Sequence, residues 1–211
     1  MDSTIIACEC VDEIAAILGI KSAIAAITER AMRGEIPFEA ALAERVAMLK
    51  GVAETDLARV YAERVRLNPG AATLVATMRA QGARTVLVSG GFTWFTERVA
   101  TAAGFEHHQG NTLVIEDGRL AGTVVAPIQG RAAKREALER HAAELGVRAD
   151  DAVAIGDGAN DLAMIEAAGL GIAYRAKPAV EERAWARIAS GDLRSALYFQ
   201  GLTETEFVER G

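Results

Sequence analysis

The chain has 211 residues, 51% of them hydrophobic and 25% charged, which is enough for one well-buried core with an inserted subdomain and excludes a disordered tail protein. A net charge of -6 argues against a general nucleic-acid binder, which presents a basic face. No apolar run approaches the ~18–20 residues of a spanning helix, and the N-terminus lacks a basic segment followed by an apolar core and cleavage site, so the expected location is the cytoplasm with no membrane partner.

Cys8 and Cys10 are the only cysteines, spaced poorly for a mutual bridge or a zinc cluster, and read as reduced core or edge residues. From Val11 to Arg66 the apolar spacing is helical throughout: Ile14, Ile17 and Leu18, then Ile24 and Ile27, then Leu42, Val46 and Leu49. Breaks are expected at Gly19, from Gly34 to Pro37 and at Gly51.

After the turn Asn68-Pro69-Gly70 the pattern becomes alternating α and β. It predicts a helix over Ala71–Arg79, a strand over Thr85–Ser89 and a helix through Trp94–Ala102. A hairpin follows, with Thr112–Glu116 and Leu120–Val125 flanking the turn Asp117-Gly118. Helix Ala132–Leu145, strand Ala152–Ile155, helix Leu162–Ala167 and strand Leu170–Tyr174 complete an α/β, parallel-sheet pattern of short apolar strands. His107 and His108 read as exposed residues of a polar loop, Trp94 and Trp185 as packing residues, and Leu197-Tyr198-Phe199 as the close of a last helix.

In open α/β sheets ligands bind beyond the carboxyl ends of the strands. Strand Thr85–Val88 runs into Ser89-Gly90-Gly91, either a turn with a helix cap or a hydroxyl and backbone N–H groups presented to an anion. Strand Ala152–Ile155 runs into Gly156-Asp157-Gly158-Ala159-Asn160-Asp161, either another capped turn or hard oxygen donors suited to Mg²⁺. Lys134, near the start of a helix, is either a solvated lysine or a cation within reach of a phosphate.

Taken in order, Asp2-Ser3-Thr4, Ser89-Gly90-Gly91-Phe92, Lys134 and Gly156-Asp157-Gly158-Ala159-Asn160-Asp161 resemble the four motifs of the haloacid dehalogenase phosphatases. A helical insert of the superfamily's small-cap length lies between the first two. Glu9, the segment Glu29-Arg30-Ala31-Met32-Arg33-Gly34 and Arg45-Val46 further resemble the phosphoserine phosphatase branch.

The resemblance implies a Rossmann-like parallel sheet built from 1–9 and 69–211, with residues 10–68 as the helical cap. It implies hydrolysis of L-phosphoserine to L-serine and phosphate through an aspartyl phosphate, the last step of serine synthesis, with Mg²⁺ as cofactor, by a monomer or homodimer. Asp2 would be the general acid and base, its backbone carbonyl touching the metal; Asp157 would be a metal ligand, with Asp161 behind it. Ser89, Gly90 and Lys134 would hold the phosphoryl oxygens, and Glu9, Met32, Phe38, Arg45 and Asn160 would meet the rest of the substrate.

The family motif is Asp-x-Asp-x-Thr, and its nucleophile would stand two places before Asp2, ahead of Met1. The nucleophile and the apolar central strand leading to it are thus expected to be missing through an internal methionine taken as the start, a fragment, or a true loss. The chain as written is then expected to be inactive, with strands Thr85–Ser89 and Ala152–Ile155 separated by an incomplete slot or by another segment. Two alternatives stay open: action on another small phosphomonoester or transfer to homoserine, and a non-catalytic module that binds phosphate or a phosphoamino acid.

Overall fold

The computed structural model describes residues 1–33 and 35–209, with Met32 as backbone only. Four helices come first: α1 (Cys10–Ile17), α2 (Lys21–Met32), α3 (Phe38–Met48) and α4 (Glu54–Arg64). The interruptions fall near Gly19, before Pro37 and at Gly51, as the sequence suggests; Gly34 lies outside the described residues. Of the residues that set the period, Ile14, Ile24, Leu42, Val46 and Leu49 are nearly inaccessible and Ile17 and Ile27 partly buried, whereas Leu18, just past the end of α1, is exposed.

The segment leaves and returns at one place. Ile6 and Leu67 form an antiparallel bridge, the Ala7 N–H donates to the Arg66 carbonyl at 3.0 Å, and the Asn68 N–H donates to the Ile5 carbonyl at 2.8 Å. A second fixing point is the hairpin: the Gly51 N–H donates to the Leu120 carbonyl and the Leu120 N–H to the Val52 carbonyl, each at 2.8 Å.

The α/β part runs α5 (Ala71–Ala80), β1 (Val86–Phe92), α6 (Thr93–Ala103), β2 (His107–Asn111), β3 (Leu113–Glu116), β4 (Arg119–Val124), α7 (Arg131–Leu145), β5 (Val153–Gly156), α8 (Leu162–Ala167), β6 (Leu170–Tyr174), α9 (Pro178–Glu181), β7 (Ala186–Ile188) and α10 (Ser195–Tyr198). Asp117 and Gly118 both take positive φ, 49° and 71°, the backbone that lets a two-residue turn follow the twist of β3 and β4. Helices α6 and α7 stop at Gly104 and Gly146, both left-handed.

The strands form three sheets: parallel β1–β2, the antiparallel hairpin β3–β4, and parallel β5–β6–β7. Among the described residues β1 and β5 share no ladder, yet Val86–Val88 and Val153–Ile155 line the same cavity of about 330 Å³. One continuous apolar core joins residues of the helical segment, such as Val46 and Leu57, to Leu87, Phe95 and Ile172 of the α/β part.

Several expectations need correction. His107 and His108 are exposed, as expected, but they lie in β2 rather than in a loop, because β1 offers an edge to which the polar run pairs in parallel. Trp94 is buried, but Trp185 is 78% exposed, since it sits between α9 and β7 and not on a packed helix face. Strand β1 continues past Ser89 to Phe92. Within the last helix Leu197 is buried, whereas Tyr198 and the following Phe199 are exposed. Cys8 is partly buried and Cys10 buried, both as free thiols. No helix among the described residues is long and apolar enough to cross a membrane.

Candidate active site

The N-terminal loop is wound tightly. The Met1 carbonyl accepts N–H groups from Thr4, Ile5 and Ile6 at 3.3, 2.8 and 3.1 Å, and Ser3 holds a left-handed φ of 57°. Buried Asn68 clamps the turn from outside, donating from Nδ2 to the carbonyls of Thr4 at 2.8 Å and Ile6 at 3.2 Å. This directs Asp2 toward the end of β1: a methyl built on Gly91 would stand 3.1 Å from both Asp2 Oδ2 and Ser89 Oγ. Glycine is what leaves that space open.

Asp2 Oδ1 is buried without a hydrogen-bond partner among the described residues. Burial pushes the Asp2 carboxyl above its ordinary range, opposed by Cys10 and Lys134. A carboxyl held protonated more readily than usual suits a proton donor.

Beyond β5 the acidic loop closes on itself. Asp161 is buried; its Oδ2 accepts the N–H groups of Asp157 at 3.3 Å and Gly158 at 3.1 Å, and its Oδ1 takes Lys134 Nζ at 2.5 Å. Lys134 reaches this position from the first turn of α7 and is itself buried. Asp157 Oδ1 accepts the Thr4 hydroxyl at 2.6 Å, joining the two loops. Asn160 lies on the exposed face, where Arg131 Nη2 donates to the Ala159 carbonyl at 2.7 Å.

Among the described residues no group of three or more His, Cys, Asp or Glu side chains is arranged as a cage for a metal. The donors that are present still fit Mg²⁺, which is commonly held by one or two carboxylates and keeps water and phosphate in the rest of its shell. Asp157 is such a donor, and its bond to Thr4 brings it beside the Asp2 loop, which offers a backbone carbonyl.

At the end of β1, buried Ser89 accepts the Gly91 N–H at 2.9 Å. The Gly90 carbonyl is fixed by Asn111 Nδ2 at 2.9 Å, and Asn111 Oδ1 accepts the Gln129 N–H at 2.7 Å. Asn111 and Asn68 are supports that belong to no motif, while Thr4 stands in the Asp-x-Asp-x-Thr pattern but its bond to Asp157 is not visible there. Their signal was weak: Asn68 reads as a turn residue and Asn111 as the end of a polar run.

Phe38 comes from the helical side and covers Gly90, its Cζ 3.3 Å from where a methyl there would be. Glu9 Oε1 accepts the Ser3 hydroxyl at 2.5 Å, and burial and the proximity of Asp2 push its carboxyl up. Arg45 is half-buried, with Nε on the Ala41 carbonyl at 3.3 Å and Nη1 on Thr28 Oγ1 at 3.5 Å. Burial lowers its pKa against the opposing fields of Asp12 and Glu9, and among the described residues it makes no salt bridge. The Met32 side chain lies outside the described residues.

Asp2, Ser89, Gly90, Phe38, Glu9, Lys134, Asp157 and Asp161 thus form one connected set, with Arg45 within its electrostatic reach and Asn160 on its rim. Buried acid, buried cation, glycine-rich strand end and hard oxygen donors together can bind an anionic group and pass it a proton. The chain belongs to the haloacid dehalogenase-like hydrolases, whose family model matches residues 1–166.

Within that family it is 50% identical over 198 residues to a phosphoserine phosphatase of Albidiferax ferrireducens, covering 92% of this chain and 84% of that protein. It is 43% identical over 209 residues to a phosphoserine phosphatase of Idiomarina loihiensis, covering 99% and 94%. A solved substrate-bound phosphoserine phosphatase complex superposes with a TM-score of 0.86 at 35% identity, covering 94% of each chain. A phospho-aspartyl intermediate analogue of phosphoserine phosphatase superposes equally well, with a TM-score of 0.86 and 35% identity over 94% of this chain and 95% of that one. These relatives make the chain an enzyme of the phosphatase class.

Proposed function

We propose that this site is built for magnesium-dependent hydrolysis of L-phosphoserine to L-serine and phosphate. The observation that carries the choice of substrate is Arg45: a half-buried guanidinium without a carboxylate partner among the described residues, on the helical side of a site whose floor suits a phosphate. Arg45 can grip the substrate carboxylate with two parallel N–H bonds, and Glu9 can accept from its ammonium. Phe38, and Met32 by the resemblance, shield the bound amino acid from water. The names of the relatives support the same choice.

In this reading residues 10–68 form the cap and residues 1–9 and 69–211 the core. Ser89, the Gly90 N–H and Lys134 hold the phosphoryl oxygens, while Asp2 protonates the departing serine oxygen and then activates water. The Asp2 carbonyl and Asp157 would hold Mg²⁺, steadied by Asp161, and the ion would neutralise phosphate charge. Asn160 stands at the rim, where it can meet the substrate's outer edge.

The route needs a carboxylate nucleophile, and the resemblance puts it two positions before Asp2. Within the 211 residues the carboxylates near the phosphate site have other tasks: Asp161 is tied to Lys134, Asp157 to Thr4 and Glu9 to Ser3. Hydrolysis by these residues alone is therefore expected at background level, and an apolar strand ending in aspartate two places ahead of Asp2 should bring it to ordinary enzyme rates. The measurement is phosphate release from phosphoserine with and without Mg²⁺, on the chain as given and on the extended one. Full turnover by the 211 residues would refute the role of the nucleophile. An inactive extended chain that still binds phosphoserine by calorimetry would make this a binding module, and phosphate appearing on added homoserine would make it a transferase.

A further inference from the structure

Cys8 and Cys10 are the only cysteines of the chain, and both are free thiols. Their spacing in the sequence speaks against a mutual bridge, but the local backbone answers that objection. Glu9 between them is extended, with φ -99° and ψ 112°, so the side chains of Cys8 and Cys10 leave the chain on the same side. At the rise of a strand their Cα atoms stand about 6.6 Å apart, at the upper end of the range of roughly 4.4–6.8 Å that disulfides span.

The two thiols are also in contact. The Cys10 thiol hydrogen-bonds that of Cys8, and this holds the Cys8 thiol below its ordinary pKa against burial and the neighbouring carboxylates. Cys8 is partly exposed and flanked by exposed Ala7 and Glu9, whereas Cys10, the first residue of α1, is only 1% exposed. A small oxidant in solvent therefore meets Cys8 first, with Cys10 held behind it as a second sulfur within reach. Among the described residues no group of three or more His, Cys, Asp or Glu side chains could hold a metal, so the pair is not part of a thiolate metal site.

We propose that Cys8 and Cys10 are a reversible oxidation site, closing to an intrachain disulfide when the folded protein meets a peroxide. The Cys8 sulfur attacks one peroxide oxygen, the O–O bond breaks, and the departing hydroxide leaves as water with the Cys8 proton. The Cys10 sulfur then displaces hydroxide from the resulting sulfenic acid, and its proton leaves with that hydroxide as a second water. Two S–H bonds are lost, one S–S bond forms, the sulfurs are oxidised and the peroxide is reduced.

The Cys10 thiol also hydrogen-bonds Asp2, so closing the bridge removes an S–H donor from that carboxyl. The oxidation itself does not depend on the phosphatase reading, because it concerns the two sulfurs alone.

The test uses the reduced 211-residue chain, hydrogen peroxide, and N-ethylmaleimide to trap the thiols that remain. Trypsin leaves both cysteines in one peptide, residues 1–21. The expected result is that this peptide loses two hydrogen atoms and takes no maleimide, and takes two after dithiothreitol. In Cys10→Ser, dimedone should trap a sulfenic acid on Cys8. In Cys8→Ser, the buried Cys10 should be oxidised about tenfold or more slowly than Cys8 is in Cys10→Ser. Mapping of the parent chain decides the matter even if a variant does not fold. Two maleimides on the peptide after excess peroxide, a sulfinic acid on Cys8 in place of the bridge, a bridge that forms only in urea, or linked dimers on a non-reducing gel would each overturn the proposal. Equal oxidation rates in the two variants would do so as well.

Discussion

Thr4 Oγ1 donates to Asp157 Oδ1 at 2.6 Å, joining residues 153 positions apart in the chain. Thr4 is buried and Asp157 partly so, and the bond holds the N-terminal loop to the acidic loop where competing water has limited access. Thr4→Val keeps the shape and removes the donor. It should cost about 1.5–3 kcal/mol in urea unfolding, the range for a hydrogen bond to a charged group. Thr4→Ser should recover most of it, and a valine variant as stable as the parent would show that the bond does not hold the loops together.

Lys134 and Asp161 form a buried ion pair whose carboxylate also accepts two backbone N–H groups. Lys134→Met leaves that carboxylate charged and unpaired, and is expected to lose about 3–5 kcal/mol of stability. The double variant Lys134→Met with Asp161→Asn removes the orphaned charge and should regain part of the loss. Additive losses in this cycle would contradict a direct coupling.

Arg45 decides between reading the amino acid and supporting the fold. In a chain carrying an aspartate two positions before Asp2, Arg45→Ala should cost phosphoserine about 2–4 kcal/mol of transition-state stabilisation. A phosphomonoester without the carboxylate should change little. Equal losses in kcal/mol on the two substrates would place Arg45 among the structural or phosphate-binding groups.

His141 lies against Arg84 and Glu144 on α7, and burial pulls its pKa below the ordinary 6.5 although Glu144 opposes this. The folded protein thus favours the neutral imidazole more than the unfolded chain does. Its contribution is fully present above the unfolded pKa and is lost as pH falls from there through the folded value. His141→Gln should flatten the fall in Tm between about pH 7 and pH 5. An unchanged slope would show that other groups set it.

The parts of the fold that local pattern determines were legible. Helix α8 and strand β6 occupy Leu162–Ala167 and Leu170–Tyr174, as their apolar runs predict. Strand β2 was not legible, because His107-His108-Gln109-Gly110-Asn111 has no apolar alternation and becomes a strand only by pairing with β1. Strand β7, Ala186–Ile188, is too short to carry a period.

The site shows the same division. Ser89, Lys134 and the run from Asp157 to Asp161 stand out by residue type and spacing. Asn68 and Asn111 serve by satisfying carbonyls 64 and 21 residues away, and nothing in their neighbourhood of the sequence announces that.

The bridge between Ile6 and Leu67 makes everything between them, in terms of chain connectivity, one long loop closed at its base. Closing such a loop costs only about 0.6 kcal/mol more for each doubling of its length. The α/β part is therefore almost indifferent to how many residues the loop contains, provided they fold and return to the same stem. A protein wired in this way can lengthen or shorten the helical segment at little closure cost, so long as the new residues keep the bonds of Gly51 and Val52 to Leu120 and the packing of Val46 and Leu57 on the shared core.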